Sequence, residues 1–194
     1  MENKSQRSFP TRRVALIAVM AAVICVLSPL AVPLSAGVPL SLATLAVMLA
    51  GAVLGPVEGM LATLVFLCLG MVGVPVFSGY QAGIGVLFGK TGGFLLGYLP
   101  LALCSGLFLP KKSRNRRLAL GLPVLGMLLG TVILYAFGTA WFLILTHASL
   151  KLALTACVLP FLPGDALKIF AVCLLAPALR GALDRMERGK ATVF

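Results

Sequence analysis

Pro110-Lys111-Lys112-Ser113-Arg114-Asn115-Arg116-Arg117 stands between two long apolar stretches that carry almost no charge. Two further basic clusters, Lys4 to Arg13 and Arg180 to Lys190, lie at the outer ends of those stretches, and only Lys90, Lys151 and Lys168 fall elsewhere. Cations near membrane spans are retained on the cytoplasmic side. All three clusters are therefore expected to face the cytosol, and the number of crossings between successive clusters must be even. Outside the tails the acids are Glu58 and Asp165.

Composition agrees with a membrane solvent. The chain is 60% apolar and 11% charged, far from the balance of a soluble domain. A net charge of +11 points to nucleic acid in a soluble protein, but here the charge flanks apolar spans. Anionic lipid and topology account for it, and no nucleic-acid partner follows. Cys25, Cys68, Cys104, Cys157 and Cys173 sit singly in apolar stretches, the pattern of small core residues rather than of a disulfide framework. With His147 as the single histidine, a zinc site lacks ligands.

A crossing helix takes roughly 20 apolar residues, and turn signals divide the chain into six such stretches. The first runs from Val14 to about Val32 and stops at Pro33-Leu34-Ser35-Ala36-Gly37-Val38-Pro39. It is read as an uncleaved helix, its apolar run being longer than a signal core. Leu40 to Leu54 and Val57 to Val72 form a hairpin about Gly55-Pro56. A glycine-rich loop, 73–83, precedes a fourth span from Ile84 to Leu109. The fifth is Leu118 to Thr146. Pro160-Phe161-Leu162-Pro163-Gly164-Asp165 then divides a short approach segment from a sixth span, Asp165 to Leu179. The expected fold is all-α: one polytopic membrane domain over 1–194, with a basic N-terminal tail (1–13), a six-helix bundle (14–183) and a C-terminal tail (184–194). Both termini are expected in the cytosol of a cell-membrane protein, with loops 33–39, 73–83 and 146–164 on the outer face.

Ionisable groups inside a membrane are costly, so each is a functional candidate. Asp165 and Lys168 are three residues apart, on one helix face. They offer an acceptor beside a donor, suited to a small polar molecule that presents both functions. The plainer alternative is that Asp165 caps a helix and Lys168 neutralises it. The loop 73–83 adds Tyr80, an aromatic face, and Gln81, an amide, in the manner of a segment covering a pocket. The pairs Gly51/Gly55, Gly89/Gly93, Gly93/Gly97 and Gly126/Gly130 have the spacing of close helix packing. Trp141 and the phenylalanines read most simply as lipid-facing or interfacial, the alternative being that one of them lines the pocket.

Gly85-Val86-Leu87-Phe88-Gly89-Lys90-Thr91 resembles a phosphate-binding loop but has three residues, not four, between its glycines. With no strand before it, ATP binding by this chain is rejected. A nucleotide-driven process would need its nucleotide site on another polypeptide. No catalytic pair or nucleophile motif is present, so the chain is not read as an enzyme. Ala15, Ala18 and Ala22 make a small-residue stripe on the first helix, fit for close docking against another helix.

Three segments together resemble the BioY family, the biotin-binding S-components of energy-coupling factor (ECF) transporters: Val38-Pro39-Leu40-Ser41-Leu42-Ala43-Thr44, the region from Gly73-Val74-Pro75-Val76-Phe77 to Gly92-Gly93-Phe94, and Pro160 through Lys168. The resemblance covers nearly the whole chain. It implies biotin as transported ligand with no cofactor, an outward pocket capped by the first and third outer loops, and assembly with a transmembrane coupling subunit (T-component) and two ABC-type ATPases. Asp165 and Lys168 match the family's ligand-contacting pair, and Ala18 and Ala22 fall on the helix face associated with the coupling subunit. The second-helix entry departs from the family's Pro-x-Thr-x-Gln, keeping a hydroxyl at Ser41 but no amide at Ala43. Lys90 stands where many relatives have proline.

For biotin, Asp165 is expected to accept from the ureido N–H groups while Lys168 donates to the ureido oxygen. Tyr80 and Phe77 are candidates for the ring wall, and Lys90 or Lys151 for the valerate carboxylate; the opposite orientation is the alternative. A different class of function stays in view: a self-contained secondary transporter or channel for another small polar solute, with Asp165 as proton site.

Overall fold

The computed structural model describes residues 11–32, 38–108 and 116–191. Its elements are α1 (Thr11–Leu27), β1 (Ala31–Val32), β2 (Leu40–Ser41), α2 (Ala43–Leu54), α3 (Pro56–Val72), a 3-10 turn (Ile84–Val86), α4 (Gly92–Leu107), α5 (Arg116–Thr146), α6 (Leu150–Cys157) and α7 (Leu162–Ala191). The six expected spans correspond to α1–α5 and α7, and α6 is the approach segment. Lys4, Arg7, most of the central basic cluster (Lys111 to Asn115) and residues 33–37 of the first outer loop lie outside the described residues.

Boundaries differ from the sequence expectation for local reasons. The first span stops at Leu27, before Pro29, because the residue ahead of a proline is disfavoured in helix. Ala31 and Val32, expected as its last turn, instead pair antiparallel with Ser41 and Leu40. Residues 84–91 were expected to open the fourth helix. They form a 3-10 turn and loop, since Gly83 at φ +92° starts the segment in a conformation that other residues rarely adopt. The sixth span begins earlier, at Leu162, and continues well past Leu179 to Ala191.

Helix α2 is the centre of the bundle. Every residue in it except Leu45 and Leu54 is buried, and it packs against α1, α3, α4 and α7. Gly55 at φ +100° makes the tight turn into α3, with Pro56 at the start of that helix. The widest helix pairing is α4 on α5, where glycines bring the backbones together. A Cβ on Gly97 would lie 2.8 Å from Leu134 Cδ1, and one on Gly130 2.9 Å from Leu101 Cδ1. These positions carry the small-residue spacing seen in the sequence.

The surface is inverted relative to a soluble protein. Large apolar side chains such as Val132, Ile144, Phe170 and Leu174 are exposed, while Thr63, Ser105 and Thr131 are buried. Those three hydroxyls donate to carbonyls one helical turn back, at 2.9, 2.7 and 2.8 Å, which satisfies them where no water is available. By length and apolarity, Gly121–Thr146 and Leu150–Leu183 can each cross a membrane. Arg12 at the start of α1 donates from Nη2 to the Leu183 carbonyl of α7 at 3.3 Å, and Gly106 of α4 packs on the Gly55–Pro56 turn. Both ends of the described chain, the α2–α3 turn and the end of α4 thus share one end of the bundle.

Candidate functional site

At the opposite end, α7 starts immediately after the Pro160–Phe161 turn, and its first turn presents Asp165. The side chain does not cap the helix. Oδ1 accepts from Lys168 Nζ at 3.0 Å and from Thr44 Oγ1 at 3.2 Å, while Oδ2 accepts from the Tyr135 hydroxyl at 2.5 Å. Asp165 therefore ties α7 to α2 and α5, and the capping alternative has no support in this geometry.

Lys168 Nζ also donates to the Ser41 carbonyl at 2.7 Å and to Thr44 Oγ1 at 2.8 Å. Its three N–H donors thus have three acceptors. Both ionised residues are buried, at 3% and 6% exposure, a depth at which charges persist only when paired and fully hydrogen-bonded. Ser41 is held in turn: its hydroxyl donates to the Ser28 carbonyl at 2.7 Å and accepts from the Ala43 amide at 2.9 Å. The Ser41 hydroxyl is thereby engaged in opening α2, and it is the backbone carbonyl that meets the lysine.

These groups form the polar floor of a cavity of about 40 Å³. At roughly 10–15 Å³ per water molecule, this is room for a few waters. Aromatic rings wall it: Phe77, Phe94, Tyr98 and Phe161 all line the space, with Phe94 and Phe161 stacked at 6.2 Å and an interplanar angle of 24°. Phe94 and Phe161 face the interior rather than lipid, contrary to the lipid-facing expectation, whereas Phe77 was already a candidate for the wall. Trp141 is also turned inward, its Nε1 donating to the Gly89 carbonyl at 3.0 Å.

The roof comes from the outer loops. Phe77 is buried, meets Phe66 edge-on at 5.6 Å, and its amide donates to the Gln81 carbonyl at 3.0 Å. The Gly79 amide donates to the Pro29 carbonyl at 3.1 Å, and that of Gly83 to the Gly70 carbonyl at 2.7 Å, so the loop is pinned to the segment that follows α1 and to α3.

The structure thus gathers Asp165, Lys168, Ser41, Phe77 and Gln81 around one cavity. It does not bring Tyr80 there: that residue has φ +60° at the loop tip and its side chain is 66% exposed. Lys90 is exposed on a shallower depression that shares Gln81, Val86 and Thr91 with the cavity, and Lys151 is exposed on α6 outside the lining. Ala18 and Ala22 are exposed on the outer face of α1; the helix packs inward through Ile17, Met20, Ala21 and Ile24.

Sequence reasoning missed Thr44, Tyr135 and Tyr98. Thr44 is the second residue of α2, three positions after Ser41, which ends β2. The two tyrosines are isolated polar atoms in apolar spans, and the expense of such atoms in a membrane was the one signal that pointed to them.

Comparison with known proteins places these features in context. Residues 1–185 match the model of the BioY family. The biotin transporter BioY of Rhodobacter capsulatus is 41% identical over 174 residues, covering 85% of this chain and 91% of the relative. BioY2 of Lactococcus lactis, also named a biotin transporter, is 40% identical over 173 residues, covering 89% and 92%. Among solved structures, the S-component for biotin from an ECF-type ABC transporter aligns with a TM-score of 0.80 and 27% identity, covering 93% of this chain and 95% of that one.

Proposed function

The chain belongs to the BioY family, and from that premise we propose that it is the substrate-capture subunit of a biotin uptake transporter. It binds biotin from the outer side and delivers it through an ATP-driven complex with a transmembrane coupling subunit and two ABC-type ATPases. The carrying observation is the buried Asp165–Lys168 pair, cross-linked by Thr44 and Tyr135 at the bottom of an aromatic cavity. A carboxylate offers about four lone-pair sites, and Asp165 uses three. One ureido N–H of biotin adds to Asp165 without displacing a partner. Donation from Lys168 to the ureido oxygen replaces one of its present acceptors.

Phe77, Phe94, Tyr98 and Phe161 wall the fused ring, and Gln81 lies at the rim. The cavity is too small for the bicycle and its valerate chain, so entry requires an outward shift of the loop 73–83. Lys90, on the adjoining depression, is the cation best placed for the valerate carboxylate. The protein sits in the cell membrane as a multi-pass chain with both termini in the cytosol, as the basic clusters demand. Ala18 and Ala22, uncovered on α1, face the coupling subunit. The role is carriage, with no catalytic step assigned to any residue.

Equilibrium binding of labelled biotin to the purified chain, competed with other vitamins, tests the reading; saturable binding displaced by unlabelled biotin alone is expected. Tyr135→Phe removes one charge-assisted hydrogen bond to Asp165, for which about 1.5–3 kcal/mol is typical. It is expected to weaken biotin binding on the order of tenfold or more, each 1.4 kcal/mol being tenfold. Wild-type affinity in that variant would show that the tyrosine does not orient the acid for the ligand. In proteoliposomes, uptake is expected to depend on added coupling and ATPase subunits. Uptake by the pure chain driven by a pH gradient would instead establish Asp165 as a proton site in a self-contained transporter.

A further inference from the structure

Among the described residues, the Tyr98 hydroxyl is a buried donor at the Asp165 cavity that no protein acceptor uses. Tyr98 shares one face of α4 with Thr91, Phe94 and Leu95, and all four line the cavity. The packing of α4 on α5 fixes its depth. A Cβ on Gly97 would lie 3.2 Å from the Leu134 Cα, so Tyr98 and Tyr135, one residue on in each antiparallel helix, stand within about 3 Å along the bundle axis. Tyr135 spends its hydroxyl on Asp165 Oδ2. Tyr98, at the same level, has no such bond.

The ring of Tyr98 is only 6% exposed. Among the described residues, the buried side-chain oxygens that lack both a partner and contact with open space are Ser28 Oγ and Thr139 Oγ1. Tyr98 Oη is not one of them, so it still touches open space. For a ring this deep, that space is the cavity it lines. A buried phenol ordinarily finds a hydrogen-bond partner, because leaving the donor unused is costly. Here the partner has to come from what enters the cavity.

The ureido oxygen of biotin carries two lone pairs. Lys168 reaches it only by giving up one of the three acceptors that it already holds. Tyr98 meets it without displacing any protein group. Resting on the biotin reading above, we infer that the Tyr98 hydroxyl is the specificity donor of the site, bonding to the ring carbonyl of the ligand while Asp165 accepts from the adjoining N–H. The two groups together select a ring that presents C=O beside N–H. A ring of the same shape with a poor acceptor at that position leaves the phenol unpaired, which is how a polar site rejects a close analogue.

The purified full chain, as wild type and as Tyr98→Phe, is titrated with biotin and with the analogue that has sulfur in place of the ureido oxygen. Sulfur accepts hydrogen bonds weakly. Tyr98→Phe is expected to weaken biotin binding roughly five- to tenfold and binding of the sulfur analogue less than about twofold. Its unfolding midpoint without ligand is expected to equal or exceed that of the wild type, since no bond within the protein is lost. Equal losses for the two ligands overturn the inference in favour of a packing role, as does a lowered midpoint or a variant that does not fold. Unchanged biotin affinity in Tyr98→Phe overturns it while leaving the capture function standing. Failure of the wild type to bind biotin removes the capture function and this inference with it.

Discussion

Asp165→Asn is expected to weaken biotin binding at least tenfold, a loss of about 1.4 kcal/mol or more, and to destabilise the fold by about 3–5 kcal/mol. The two effects have different origins. Binding fails because an amide oxygen replaces an anionic acceptor for the ureido N–H. Stability fails because Lys168, buried at 6% exposure, is left as an uncompensated cation, still within reach of the Ser41 carbonyl and the Thr44 hydroxyl but without its counter-charge. Lys168→Ala should mirror this, stranding the carboxylate and weakening binding by a similar factor.

The double variant Asp165→Asn/Lys168→Met separates the origins. Replacing both partners of a buried ion pair with neutral groups is often close to neutral for stability, so thermal unfolding should return toward the wild-type midpoint. Biotin binding should stay lost. Wild-type affinity in both single variants would remove these residues from the site, and recovered binding in the double variant would show that the pair serves packing alone.

A second large effect is expected far from any charge. Gly51 of α2 faces the backbone of Ala102 on α4 so closely that a Cβ there would collide with a carbonyl oxygen. A main-chain atom cannot turn away as a side chain can. Gly51→Val should therefore push α2 off α4, costing about 1–3 kcal/mol or more by overpacking. Because α2 carries Thr44 at its other end and follows directly on Ser41, the displacement should also lower biotin affinity without touching a contact residue. Gly181→Val on α7, where a Cβ meets nothing within 4 Å, is the control and should behave as the wild type in unfolding and binding. Equal behaviour of the two variants would mean that α2 and α4 are not in the tight contact described.

The paired acid and lysine were legible because a membrane makes every ionisable group conspicuous, and three-residue spacing on a helix places side chains together whatever the tertiary fold. Thr44 and Tyr135 were not legible in the same way. They sit 121 and 30 positions from Asp165, and nothing local in either helix says which face will turn toward α7. Tyr80 illustrates the converse. Its place in a glycine-rich loop suggested a wall of the pocket, but the loop turns through φ +60° at that residue and points the ring outward. The buried partner of the loop is Phe77, seated against Phe66.

The start of the fourth helix departs from the hydropathy pattern for a related reason. Ile84, Val86, Leu87 and Phe88 are as apolar as a span, and hydropathy does not distinguish a residue facing lipid from one in a covering loop. The positive φ of Gly83 is a conformational fact that composition does not contain.

By itself, the order of residues determined the apolar surroundings, the six long helical stretches and the ion pair on the last helix. Each follows from transfer free energy or from helical periodicity, which act along the chain and need no neighbour. Tertiary structure alone decided which hydroxyls complete that pair and which rings wall the cavity. Those choices depend on the rotation and approach of whole helices, set at α2, α4 and α5 by glycines whose missing side chains become informative once the opposing backbone is in place.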